Sequence, residues 1–198
     1  MRQPLNREVI SAAARDILVS DGLHGVSLRR VANNLGVTAP ALYAHVADKR
    51  DLLQGIVEQE VDRLIERFET VQGDDPLEHL RGMCRAYVDY GLTNPDLFRA
   101  MFLFRPELTA EPRGGKPALG EKIHRAFVAA VERAQHDHVI EGIDAELAAL
   151  TVWTTAHGVV TTLLCGPPLH IDLKNRLADT AVVAALTGLR HGALTPAA

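Results

Sequence analysis

Residues 27–46, SLRRVANNLGVTAPALYAHV, hold the side chains whose types and spacing best suit a chemical task. Opposite the inward Leu42 and Val46, Thr38, Ala39, Ala41, Tyr43, Ala44 and His45 form an outward face, with Tyr43, His45 and Lys49 along one edge of it. Hydroxyls, an imidazole and an ammonium suit phosphate oxygens and base edges, and small residues such as Ala39, Ala41 and Ala44 suit thymine methyls. Pro40 stands among them, and Ser27, Arg29 and Arg30 precede them by about one short helix. That chemistry is recognition of a polyanion, not bond making. No GxSxG, GxGxxG, P-loop or HExxH pattern occurs, so no nucleophile is assignable and the chain is not expected to be an enzyme. No cofactor is expected.

The other candidates are weaker. His136 and His138, with His124 and Asp144, have the residue types for zinc. Residues two apart point to different sides of a helix, so this spacing predicts no metal site. Cys84 and Cys165 form no CxxC and read as two thiols behaving as small hydrophobes in a reducing compartment.

The recognition residues need rigid elements beneath them. Ser27 caps a helix whose inward positions are Leu28, Val31, Ala32 and Leu35. Gly36 ends it, because glycine accepts the left-handed backbone of a sharp turn. Thr38 caps a second short helix with Pro40 in its first turn. Two helices of roughly seven residues joined by a glycine turn make a helix-turn-helix. Upstream, Val9, Ile10, Ala13, Ala14, Ile17 and Leu18 form an apolar stripe stopped by Gly22. Downstream, Leu52 to Phe68 repeat at helical spacing after the cap Asp48, giving a helix of roughly 34 Å to about Thr70. Asp75-Pro76 and Asn94-Pro95 start further helices, residues 105–117 are a Pro/Gly loop, and a stripe from Leu119 to Ala134 follows. Asp144 and Asp172 are expected to cap two last helices near 145–165 and 173–190. Strand signals are almost absent, so the fold class is all-α with eight or nine helices.

Bulk properties agree. The chain has 198 residues, 47% hydrophobic and 23% charged, which excludes wholesale disorder. The net charge of −4 conceals an asymmetry: residues 1–50 sum to +3, and the rest to −7. A basic N-terminal quarter on an acidic body fits a polyanion at one end only. The start lacks the apolar run of a secretory signal. The run LAALTVWTTAHGVVTTLLC approaches membrane-spanning length without a charge, but it carries five threonines and no flanking basic cluster, so a core or subunit interface is expected.

Residues 7–65 resemble the N-terminal DNA-binding domain of the tetracycline-repressor (TetR) family of transcription regulators. The resemblance is carried by Leu35-Gly36-Val37, Pro40-Ala41-Leu42-Tyr43, His45-Val46 and Asp48-Lys49-Arg50-Asp51-Leu52-Leu53, with Ile10 to Gly22 fitting the first helix. At Ala44 the chain departs from the large aromatic common in members. The resemblance implies a homodimeric all-helical regulator, with Thr38 to His45 as recognition helix and Tyr43 and Lys49 on phosphates. It implies a helix-turn-helix domain over 1–47 and a ligand-binding and dimerisation domain over 48–198, with 48–70 as connecting helix. Asn94–Phe102 and Val152–Val160 resemble a C-terminal subclass marked by a Trp-x-x-x-His-Gly element.

In the body, Met83, Tyr87, Tyr90, Phe98, Met101, Phe102, Phe127, Trp153 and His157 would line an apolar cavity with a few polar points. The expected protein is a cytoplasmic repressor, released from a near-palindromic operator on double-stranded DNA by a small apolar or amphipathic effector, with no membrane partner. The alternatives are an all-helical small-molecule carrier and a metal-responsive regulator.

Overall fold

The computed structural model describes residues 4–103 and 119–190. Among the described residues the chain forms α1 (Arg7–Gly25), α2 (Leu28–Leu35), α3 (Ala39–Tyr43), α4 (Lys49–Glu69), α5 (Pro76–Thr93), α6 (Pro95–Phe98), a π-helical turn (Arg99–Leu103), α7 (Leu119–His136), α8 (Ala145–Cys165) and α9 (Ile171–Arg190), with no strand. The all-helical class and the number of helices agree with the sequence periodicity. The Pro/Gly stretch at 105–117 lies outside the described residues. The described chain packs as two compact units, residues 4–62 with 94–103 and residues 63–93 with 120–190. The first packing unit therefore extends past residue 47, and the division falls inside α4.

The first unit is closed by α1, α2, α3 and the start of α4. Ile10, Ala14, Leu18, Val31, Ala32, Leu42, Val46, Leu52 and Ile56 share one core, and Leu97 and Ala100 join it from α6 and the π turn. Gly22 interrupts α1 with φ 68° and ψ −178°, a conformation essentially reserved for glycine, so it does stop the straight helix as its position predicts. Polar ties bind α1 to α4. Arg7 meets Asp51 at 2.7 Å and Arg15 meets the buried Glu60 at 2.6 Å. Gln59 donates to the Glu8 carbonyl at 3.2 Å. At the close approach a Cβ on Gly55 would strike the Ser11 hydroxyl, and Ser11 is itself buried.

α4 starts with a reciprocal cap. The Asp48 carboxylate accepts from the Asp51 amide, and the Asp51 carboxylate accepts from the Ala47 amide, both at 2.8 Å. Its 21 residues span about 32 Å at 1.5 Å each.

In the second unit α5 buries Leu80, Met83, Cys84, Tyr87 and Val88 along one face. α7 buries Ile123, Phe127, Val131 and Ala134. Phe68 meets Phe127 edge-on, with ring centroids 5.5 Å apart. Each fully buried large side chain contributes about 1.5–3 kcal/mol. Asp75 and Asp144 cap α5 and α8 through their carboxylates. Asp172 does not act as the expected cap: α9 begins at Ile171, so Asp172 lies in its first turn. Among the described residues one helix, Ala145–Cys165, is long and apolar enough to cross a membrane, and only 33% of its most apolar stretch is buried.

The segment after Asn94-Pro95 departs from the simple helix that its cap signal predicts. The Asn94 side chain makes no capping bond, α6 stops after four residues, and the chain widens into the π turn.

Candidate functional site

The helix-turn-helix rests on the turn at Gly36. Gly36 takes φ 64° and ψ 36°; its amide donates to the Asn33 carbonyl at 3.1 Å and the Val37 amide donates to Ala32 at 3.0 Å. These crossed bonds satisfy the last carbonyls of α2 and fix the angle at which α3 leaves. The Ser27 hydroxyl accepts from the Arg30 amide at 3.3 Å, as its position before α2 predicts. Thr38 occupies the N-cap of α3, but its side chain makes no capping bond. Its exposed hydroxyl is not committed to the backbone, contrary to the expected cap. α3 is shorter than the sequence suggested: it covers five residues, Ala44 is its C-cap, and His45 lies in the turn beyond.

Leu42 and Val46 are buried beneath this element at 0% and 1% exposure. Thr38, Pro40, Tyr43, Ala44 and His45 are exposed, Tyr43 to 57%. Ala41 is half-buried. Ala39 is not part of a freely outward face: it is half-buried and packs against the core. Arg29 is exposed on α2. Arg30 forms an ion pair with Asp21 at 2.6 Å. Lys49 is half-buried, and its ammonium donates to the Leu23 carbonyl at 3.4 Å, a long bond that ties it towards the end of α1. An open groove of about 420 Å³ lies elsewhere on the unit, between α1 and the end of α2, and is lined by Asn6, Glu8, Val9, Ala12, Ala13, Asp16, Asn34 and Leu35.

The residues expected to line a body cavity fall in both units. Phe98, Met101 and Phe102 belong to the first, where the Phe98 and Phe102 rings meet at a tilt of 48° with centroids 4.9 Å apart. Met83, Tyr87, Phe127, Trp153 and His157 belong to the second. There the Tyr87 hydroxyl lies 2.9 Å from His157 Nδ1. Burial pushes the Tyr87 hydroxyl well above its ordinary range, partly offset by the nearby Trp153 indole. The phenol therefore keeps its proton, and the imidazole tautomer sets which of the two groups donates in this bond. Trp153 and His157 stand one turn apart on α8, with ring centroids at 6.2 Å. His124 on α7 lies 6.4 Å from the Trp153 ring. Tyr90 instead carries the Arg67 guanidinium over its ring at 5.5 Å. His138 Nδ1 faces Glu141 at 2.9 Å, and among the described residues no three His, Cys, Asp or Glu side chains come together as a metal site.

Sequence reasoning missed the Arg15–Glu60 pair and the place of His124. A signal existed for Glu60: it lies on the apolar stripe of α4 between Val57, Val61 and Leu64, where a lone acid calls for a partner. The Tyr87–His157 bond joins residues 70 apart and leaves no local trace.

Two family models match the chain. Residues 80–192 match the tetracyclin repressor-like C-terminal domain, and residues 10–56 match the tetR family of bacterial regulatory proteins. An uncharacterised helix-turn-helix-type transcriptional regulator of Mycobacterium tuberculosis, Rv0681, is 27% identical over 179 residues, covering 88% of this chain and 78% of its own length. Helix-turn-helix-type regulators of Staphylococcus aureus are 30% identical over 69 residues, 35% of this chain and 37% of theirs. Among solved structures, a protein of unknown function from Rhodococcus sp. RHA1 superposes with a TM-score of 0.75 at 25% identity, covering 95% of this chain and 97% of the other. A TetR-family regulator from Pectobacterium atrosepticum superposes with a TM-score of 0.72 at 22% identity, covering 93% and 92%.

Proposed function

This chain belongs to the TetR family of bacterial transcription regulators, and from that premise we propose that it is a cytoplasmic repressor, released from its operator by a small apolar or amphipathic molecule. The observation that carries the DNA reading is the fixed glycine turn beneath α3: Pro40 and Tyr43 stand out from a helix whose Leu42 is fully buried, with exposed Thr38 at its N-cap and exposed His45 in the turn beyond. Thr38 and Ala41 read base edges and methyls in the major groove, with Ala39 close beneath them. Tyr43, His45, Lys49 and Arg29 bond phosphates and set position, and Ser27 presents the start of α2 to the backbone.

The working form is a homodimer. α8 and α9 leave Leu147, Leu150, Leu173 and Val183 exposed, between 38% and 53%. A matching pair of helices from a second copy would cover them as a four-helix bundle. Two copies of α3 would then enter successive major grooves roughly 34–36 Å apart, on a near-palindromic site. Met83 and the aromatic residues Tyr87, Phe127, Trp153 and His157 of the second unit form the effector-facing part, and Trp153-x-x-x-His157-Gly158 marks the C-terminal subclass. The effector shifts the DNA-competent population by its differential affinity for the two states and by no more. The functional boundary is placed at residue 47, with α4 as the connecting helix.

The test is binding of the purified protein to duplex fragments over a range of salt, with light scattering in parallel. Retention that falls steeply with salt, on a species near twice 21.5 kDa, supports the reading. A monomer that ignores DNA is instead a helical carrier, and the regulator reading fails.

A further inference from the structure

Arg7, Arg15 and Arg30 of the N-terminal unit all face carboxylates, and the third pair is built differently from the other two. Asp51 and Glu60, the partners of Arg7 and Arg15, are mostly shielded from water, and these pairs fasten α1 to α4. In the third, Arg30 Nη2 stands 2.6 Å from Asp21 Oδ2, and the two side chains are 48% and 39% exposed. Ion pairs this exposed add little to stability. The main physical effect of the Asp21–Arg30 pair is the cancellation of a positive charge.

The end of α1 is shaped around that carboxylate. The Ser20 hydroxyl donates to Asp21 Oδ2 at 2.6 Å. Gly22 breaks the helix directly after it. Gly25 lies against it: a Cβ there would stand 2.6 Å from the Asp21 Cβ and 3.3 Å from Arg30 Nη1. The same short segment receives Lys49, whose ammonium donates to the Leu23 carbonyl at 3.4 Å. Arg30 and Lys49 therefore rest on residues two positions apart, at the edge of the unit that carries the proposed phosphate contacts. Lys49 brings a cation to that edge. Arg30 brings a cation together with its own anion.

A cation that reaches a DNA phosphate displaces a condensed counterion, and that release drives sequence-neutral binding. A guanidinium already neutralised by a carboxylate offers the phosphate no net charge. To take the contact it must leave Asp21 facing the DNA. We propose that Asp21 masks Arg30 and so sets how tightly this protein holds DNA of any sequence: it subtracts one ionic contact from the head. The inference rests on the DNA-binding reading and deepens it. Less sequence-neutral attraction leaves a larger share of the affinity to the base contacts of α3.

The experiment follows binding of the full-length protein to a labelled, random-sequence duplex by fluorescence anisotropy across a salt series. Asp21→Asn tightens binding about three- to tenfold at about 0.1 M salt, since one contact is worth about 0.9 log units per decade of salt, and it steepens the log–log slope by about one. Asp21→Ser, whose side chain is too short to hold Arg30, gives the same result and guards against an asparagine that still accepts from the guanidinium. In an Arg30→Gln background the Asp21→Asn change leaves the slope where it was, a coupling that an independent surface charge does not show. Melting by circular dichroism checks that each variant is folded at the assay temperature. Equal gains with and without Arg30 make Asp21 an independent charge and overturn the proposal. An unchanged or shallower slope in Asp21→Asn makes the pair a tie between α1 and α2 only, and overturns it as well. A wild-type protein with no salt-dependent binding takes the regulator reading down together with this inference; wild-type binding with an unmoved Asp21→Asn slope removes this inference alone.

Discussion

Replacing Arg15 by alanine strands a carboxylate. Glu60 is 1% exposed, and its Oε1 lies 2.6 Å from Arg15 Nε; the Arg15 side chain is 27% exposed. Removing one partner of a fully buried pair costs about 3–5 kcal/mol, chiefly because the remaining charge is left in a poor solvent. Arg15 retains contact with water, and Glu60 has a further interaction, so the loss should be about 2–3 kcal/mol. For a chain of this size each kcal/mol moves the melting temperature by roughly 2–4 °C, so Arg15→Ala should melt roughly 4–12 °C lower by circular dichroism. The double variant Arg15→Met with Glu60→Leu removes the stranded charge and fills the site with apolar volume. It should recover most of the loss. If the double variant melts with Arg15→Ala, or the single change moves the midpoint by less than about 1 °C, the stranded-charge reasoning is wrong. The pair also fastens α1 to α4, so Arg15→Ala should weaken DNA binding in proportion to the unfolded fraction and show no change in base preference.

Four further outcomes follow from other parts of the molecule. Lys49→Ala should weaken binding on all DNA sequences and lower the salt slope by about one; an unchanged slope removes Lys49 from the phosphate contacts. Thr38→Ala should alter base preference more than overall affinity, measured by competition among operator variants, and a uniform loss speaks against direct readout. Gly36→Ala forces a side chain into φ 64° and should cost about 1–2 kcal/mol in denaturant unfolding; a neutral change means the turn relaxes to another form. Cys84 is buried, and burial pushes its thiol from 9.0 up to about 12. As an acid with a raised folded value it favours the native state below about pH 9, and that contribution is lost as pH climbs towards 12. Near neutral pH the exposed Cys165 should react with a thiol reagent in the native protein, and Cys84 only after unfolding; rapid native labelling of both refutes the assigned burial.

The helical class was readable because its signals are local. Ser27, Asp48, Asp75 and Asp144 all cap where a carboxylate or hydroxyl before an apolar stripe should, and Gly22 and Gly36 interrupt the chain as only glycine does cheaply. Asp172 misled because the rule does not say which of two neighbouring polar residues, His170 or Asp172, lies outside the helix. Thr38 misled in a different way. Its position is right, but its hydroxyl is spared from capping, and sequence spacing carries no rotamer. The tertiary partners were out of reach for a physical reason: Arg15 and Glu60 are 45 apart, and Tyr87 and His157 are 70 apart. Met101 and Phe102 looked like ordinary helix positions, since a π turn differs from an α turn by one residue of hydrogen-bond register and has no composition of its own.

Leu97 and Ala100 sit in the core of the N-terminal unit although the chain reaches them only after α5 has been completed elsewhere. Cutting the gene after α4 would thus yield a head with a hole where those two side chains belong, and its exposed lining would favour clumping. Domain-swap chimeras that exchange only the first sixty or so codons, roughly the span of α1 to α4, inherit the same defect. A working graft has to bring residues 94–103 along as a second, non-adjacent piece, or else replace Leu97 and Ala100 with the recipient's own plug.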